Sequence, residues 1–101
     1  MSAKGSIRHD PGATRYEFVV DGNVVGVVDY RVQDDVVVMH HTFTDPGHRG
    51  QGIAAQLVAG ALDDVRERGL RVDATCWYVA EFIASHPAYA DLLVDRSRDR
   101  G

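Results

Sequence analysis

The chain has one cysteine and, beyond Lys4, no lysine. A single cysteine excludes an internal disulfide framework and fits a reducing compartment. Without later lysines, no glycine-rich turn can end in the Gly-Lys-Ser/Thr of a P-loop. Familiar metal-ligand spacings such as Cys-x-x-Cys or His-Glu-x-x-His are missing, so no metal site is expected. No apolar run approaches the roughly 20 residues of a membrane span. The N-terminus lacks the apolar core of a signal peptide, and a cytoplasmic location is expected. Basic excess is also absent: 11 Lys and Arg stand against 15 Asp and Glu. Neither nucleic acid nor a membrane is an expected partner for a chain of net charge −4.

What remains is ordinary globular composition, with 45% hydrophobic and 26% charged residues. A length of 101 residues bounds the chain to one domain with a modest core. The folded part is expected over about 6–94, with 95–101 a flexible tail. Ile7 starts a short strand that ends at the turn Asp10-Pro11-Gly12. Thr14 to Val20, Val24 to Val32 and Val36 to Thr44 are rich in β-branched and aromatic residues. Asp21-Gly22-Asn23 and Gln33-Asp34-Asp35 link them as hairpins, which gives an antiparallel three-stranded meander.

Ile53, Leu57, Val58, Ala61, Leu62 and Val65 then fall on one helical stripe, and Gly69 supplies a left-handed stop. Leu70 to Thr75 alternates as a fourth strand. Strand, helix and strand imply a right-handed crossover and parallel pairing of strands three and four. Val79, Phe82 and Ile83 predict a second helix that ends before Pro87, followed by a helical turn over Ala88 to Val94. The fold class is α+β.

The stretch with chemical content is His48-Arg49-Gly50-Gln51-Gly52-Ile53-Ala54, between a strand and a helix. Gly50 and Gly52 remove side chains where the backbone turns and where a ligand would approach. The first N–H groups of the helix lack partners and lie at its positive end, a cradle for phosphate. The spacing is not that of a dinucleotide fingerprint, which needs Gly-x-Gly-x-x-Gly in a βαβ unit.

Arg49-x-x-Gly52-x-Ala54 resembles the Gln/Arg-x-x-Gly-x-Gly/Ala signature of the GNAT superfamily of acyl-CoA-dependent N-acetyltransferases. The likeness continues through His41-Thr42, Leu57-Val58, Cys76, Tyr78-Val79, Phe82-Ile83 and His86-Pro87-x-Tyr89. It spans about Thr14 to Val94 and points to the short, single-domain GNAT-like proteins of the YidJ/NATD type. The resemblance implies a GNAT-like fold in which strands three and four part and coenzyme A lies in the opening. Backbone groups of Thr42, Phe43 and Thr44 would pair with the pantetheine amides. N–H groups of Arg49, Gly50, Gln51, Gly52, Ile53 and Ala54 would hold the pyrophosphate of acetyl-CoA. The implied activity is transfer of acetyl to an amine, either a small molecule or a protein.

One departure from the superfamily affects the acceptor side. Ordinary members carry two helices between their first strands, and the Asp21-Gly22-Asn23 turn leaves no room for them. The acceptor side should be open, which suits a macromolecular amine, a partner subunit or no acceptor. The protein is then a monomer or homodimer, and a CoA-binding module without turnover is the alternative function.

Three residues are candidates for chemistry. Cys76 either accepts the acyl group or protonates the leaving thiolate, or it is a small buried hydrophobe. Tyr89 is a general acid by its role in the resembled family, or a core aromatic. His41 is the histidine chosen from the pair His40-His41, whose side chains should point to opposite faces. His86 is expected to cap the helix before Pro87. Trp77 either lines the pocket or packs under the following helix.

Overall fold

The computed structural model describes residues 5–94, so the expected tail over 95–101 lies outside the described residues. Strands β1 (Ser6–Asp10), β2 (Arg15–Val20), β3 (Asn23–Gln33) and β4 (Val36–Thr44) are followed by helix α1 (Ile53–Glu67). Strand β5 (Arg71–Ala74) and helix α2 (Trp77–Ser85) complete the order, with 3-10 turns at Pro46–His48 and Pro87–Leu92. The sheet order is β1-β2-β3-β4-β5. The first four strands pair antiparallel, and β4 pairs with β5 in parallel.

Local sequence explains these elements. Asp21 and Gly22 both take positive φ, at 50° and 79°, which is the geometry a two-residue hairpin turn demands. All six residues of the α1 stripe are buried. Gly69, at φ 71°, follows the helix, its N–H bonding to the Arg66 carbonyl while that of Leu70 bonds to Val65. That pair of bonds closes the helix as a Schellman turn. Val79, Phe82 and Ile83 of α2 join the same core as α1, so both helices cover one face of the sheet. The outer edge of β5 is occupied by the described end of the chain, where Val94 N–H bonds to the Val72 carbonyl.

Gly26 fixes how closely α1 approaches the sheet. A Cβ there would meet Ile53 Cγ2 at 3.0 Å and Leu57 Cδ2 at 3.5 Å. Its missing side chain seats the first turn of α1 on β3.

At the other end of α1, one polar cluster ties the edge strand β1 to the helix. The His9 ring stacks on Tyr16 at 4.2 Å. Arg68 donates to His9 Nδ1 (3.2 Å), which leaves Nε2 to donate to the Tyr30 hydroxyl (2.6 Å). Tyr16 and Arg68 each donate to Asp64 at 2.7 Å. Burial alone would raise the Asp64 carboxyl, but those two hydrogen bonds outweigh it and hold it below its ordinary value. Burial lowers His9 below the ordinary histidine value, against the pull of Asp64.

The folded state therefore binds a proton at His9 less readily than the unfolded chain does. Stability from this site is full above the ordinary histidine value and erodes as pH falls toward the lowered one. The urea midpoint should drop between about pH 7.5 and 5.5, a window set by the ordinary histidine value. His9→Phe, which keeps the stacked ring, should show a smaller drop; an equal drop would place the titration elsewhere.

Candidate active site

β5 ends at Ala74, opposite Met39, whereas β4 runs on to Thr44. The Met39 carbonyl accepts the N–H groups of both Thr75 (3.1 Å) and Cys76 (3.0 Å), and the Thr75 hydroxyl at 3.2 Å. These bonds hold the two strands together at the point where they part. Beyond Met39, among the described residues, no strand pairs with this edge of β4.

A bulge decides which β4 groups face the opening. Asp29 lies opposite His41 and Tyr30 opposite Met39, so His40 is an extra residue on β4. Asp45 N–H bonds back to Val25 on β3. Alternation from that bond turns the N–H and C=O of Thr44 and Thr42 to the free edge. Side chains follow the same register. Thr42 and Thr44 pair with Val28 and Gly26 and face α1, while Phe43 pairs with Val27 and faces away. His41 shares the face of Phe43, and both His40 and His41 are exposed.

The free edge leads into the start of α1. Gly50 and Gly52 have φ of 83° and 75°, and Gly52 is the N-cap. Gln56 N–H is the first to bond within the helix, to the Gly52 carbonyl at 3.0 Å. The preceding N–H groups are thus left at the positive end of a 15-residue helix. Near it, His48 Nδ1 is hydrogen-bonded to Asp45 at 2.9 Å.

Strand edge and helix start enclose a cleft of about 490 Å³. Of the nine residues expected to bind the cofactor, Thr42, Phe43, Thr44, Arg49, Gly50, Gly52, Ile53 and Ala54 line it. Gln51 is not among the lining residues. His48, Ala55, Trp77 and Tyr78 also line the cleft. Trp77 and Tyr78 come from the first turn of α2 and meet edge to face, with ring centroids 6.1 Å apart. Burial pushes the Tyr78 phenol above its ordinary value, so it stays protonated at neutral pH.

The three candidates for chemistry are not brought together. Cys76 precedes α2, half-buried, with its Sγ 3.7 Å from Thr42 Oγ1. Cys76 is not itself among the lining residues, but Thr42, which it touches, is. Tyr89 is elsewhere: its hydroxyl donates to Asp63 at 2.9 Å, beside a second cavity of about 590 Å³ near Arg66 and His86. Burial and that hydrogen bond raise its phenol. His86 closes α2, donating Nδ1–H to the Phe82 carbonyl at 2.8 Å and stacking on the Phe82 ring. Among the described residues, no group of three His, Cys, Asp or Glu side chains is arranged around a metal ion. No helix is long and apolar enough to cross a membrane among the described residues.

Two sequence comparisons and one structural comparison bear on this geometry. Protein NATD1 of Mus musculus is 34% identical over 88 residues, 82% of this chain and 79% of that protein. Protein NATD1 of Bos taurus is 42% identical over 52 residues, 52% of this chain and 46% of that protein, so this match spans less than half of the relative's length. The NMR structure of a GCN5-like protein from Staphylococcus aureus superposes with a TM-score of 0.68 at 20% identity, covering 88% of this chain and 87% of that one. The family description GCN5-related N-acetyl-transferase matches residues 15–92. A five-stranded sheet whose fourth and fifth strands pair in parallel and then part, carried on that match, makes this chain a member of the GCN5-related N-acetyltransferase family.

Proposed function

We propose that the chain binds acetyl-CoA in the cleft between β4 and β5 and transfers its acetyl group to an amine. The observation that supports this most is the continuity of two kinds of donor. The free edge of β4 at Thr42 and Thr44 runs directly into the unbonded N–H groups that start α1. An elongated ligand with amides at one end and a diphosphate at the other fits that sequence of partners. Arg49 adds positive charge at the phosphate end.

Bound acetyl-CoA supplies a thioester whose C–S bond breaks as the C–N bond of the product amide forms, the amine's proton ending on the released thiol. The chain's part is to position and to move protons. The bonds around the Met39 carbonyl fix the closed end of the cleft, beside Cys76 and Thr42. His41 is not among the lining residues, but it precedes the lining Thr42 and shares the exposed face of the lining Phe43, and it is the base assigned to the incoming ammonium. Tyr78, rather than Tyr89, is assigned as proton donor to the departing sulfur because Tyr78 lines the cleft. A cytoplasmic setting would keep the Cys76 thiol reduced.

Calorimetry with acetyl-CoA, followed by assay of free CoA in the presence of primary amines, tests the reading. Saturable binding and steady thiol release are expected; absence of binding would end it. A second reading has its own support. Only residues 11–14 join β1 to β2 and only Asp21-Gly22 joins β2 to β3, so neither connection walls an acceptor site. Binding of acetyl-CoA with no release across a broad panel of amines would identify a CoA-binding module. An acetyl mass increment lost in Cys76→Ala would instead identify acylation of the protein itself.

A further inference from the structure

We propose that the acceptor is a small monoamine whose nitrogen is carried on an aromatic or bulky apolar group, gripped by Phe43 and Trp77; this rests on the reading of the cleft as an acetyl-CoA site. Trp77 is 74% exposed and Phe43 is 47% exposed, whereas Tyr16, Phe18 and Tyr30 are at most 6% exposed. Both exposed rings line the same cleft. Trp77 directly follows Cys76, and Phe43 directly follows Thr42, the two residues in contact at the closed end. The rings thus stand beside the place where the reacting carbonyl would lie.

Phe43 stands on the acceptor's side of the cleft, and Trp77 stands at its mouth at the start of α2. The Phe43 side chain points away from α1, while the phosphate cradle belongs to α1. Aromatic surfaces left open to water at the mouth of a site are anchors for an apolar group, and an indole face also attracts an ammonium before it loses its proton.

The charges near this mouth discriminate among amines. Among the described residues, no Asp or Glu lines the cleft, and Arg49 is the permanently charged side chain that does. Two carboxylates on the same sheet face are already engaged: Asp29 by Arg15 at 3.0 Å, and Glu17 by Arg8 at 2.8 Å. Asp45 is bonded to His48. A diamine, a polyamine or a lysine-rich tail would bring further positive charges with no carboxylate among the described lining residues to receive them. An aromatic monoamine brings one charge, which is removed during reaction, and a ring that the two exposed side chains can cover.

The test uses the full chain with saturating acetyl-CoA and measures thiol release with phenethylamine, propylamine, spermidine and a lysine-containing peptide. Phenethylamine should exceed each of the others in kcat/KM by about tenfold or more, the scale on which an apolar pocket discriminates. Trp77→Ala and Phe43→Ala should each remove most of that preference, lowering kcat/KM for phenethylamine more than for propylamine. Calorimetry on each variant reports acetyl-CoA binding separately. A preference for spermidine or the peptide, or equal rates for all amines, would overturn this assignment alone; no turnover despite acetyl-CoA binding would overturn it together with the transfer reading, leaving a CoA-binding module. Failure of the wild-type chain to bind acetyl-CoA would overturn the cleft reading beneath it. A dimer in light scattering whose Trp77 emission is shielded until the subunits separate would assign the two rings to a second copy and also overturn the proposal.

Discussion

Gly52→Val should weaken acetyl-CoA binding by about 100-fold or more, some 2.8 kcal/mol at 1.4 kcal/mol per factor of ten. Two effects combine. At φ 75° an L side chain is strained, by about 1–2 kcal/mol, and a β-branched one suffers most. The branched group would also stand at the N-cap of α1, where the proposed site brings a phosphate to the backbone. Crowding within the protein is not the cause, since a Cβ at Gly52 would meet only Gln56 Nε2, at 3.8 Å. The variant should therefore stay folded by near-ultraviolet circular dichroism while calorimetry loses its signal. Gly52→Ala should fall between the two. Normal binding by folded Gly52→Val would mean that the diphosphate is held elsewhere.

Gly26→Val should act on stability first and on binding second. Its Cβ would lie 3.0 Å from Ile53 Cγ2, tighter than ordinary contact, and 3.4 Å from the Phe43 carbonyl oxygen, at the near limit of it. Both neighbours are constrained, one by the core and one by the β3–β4 ladder. Overpacking of this kind costs about 1–3 kcal/mol. At this chain length each kcal/mol lowers Tm by roughly 4–8 °C. Because Ile53 is the first residue of α1, the displacement also moves the cradle, and acetyl-CoA affinity should fall with stability. Ile53→Ala in the same chain should return part of both losses, a coupling that a double-mutant cycle measures. Additive losses would show that the first turn of α1 does not rest on Gly26.

Much of this geometry is local and therefore readable from the residues. The α1 stripe, the Gly69 stop and the Asp21-Gly22 turn each rest on a backbone requirement that few residue types satisfy. The glycine turn before α1 is legible for the same reason, since Gly50 and Gly52 occupy positive φ in one short stretch. The bulge at His40 is not legible, because alternation through Val38, Met39, His40 and His41 looks regular until the partner strand sets the register. Glu17 breaks the pattern of β2 in another way. It is buried between Tyr16 and Phe18, and Arg8 and Arg15, which balance its charge, come from two strands. Tyr78 and Tyr89 cannot be separated by spacing either. Which hydroxyl reaches the cleft depends on where α2 starts against β4 and on the 3-10 turn after Pro87, both of them tertiary facts.

The three donors gathered on the Met39 carbonyl carry one more consequence. A gap whose apex is pinned by backbone does not have to be wedged apart when a ligand arrives, so entry requires no costly rearrangement of the sheet. Association should then proceed in a single concentration-dependent phase, with no slow unimolecular step behind it; amides of the paired part of β4 and β5 should keep their hydrogen-exchange rates on binding, while those of Thr42 and Thr44 on the free edge slow.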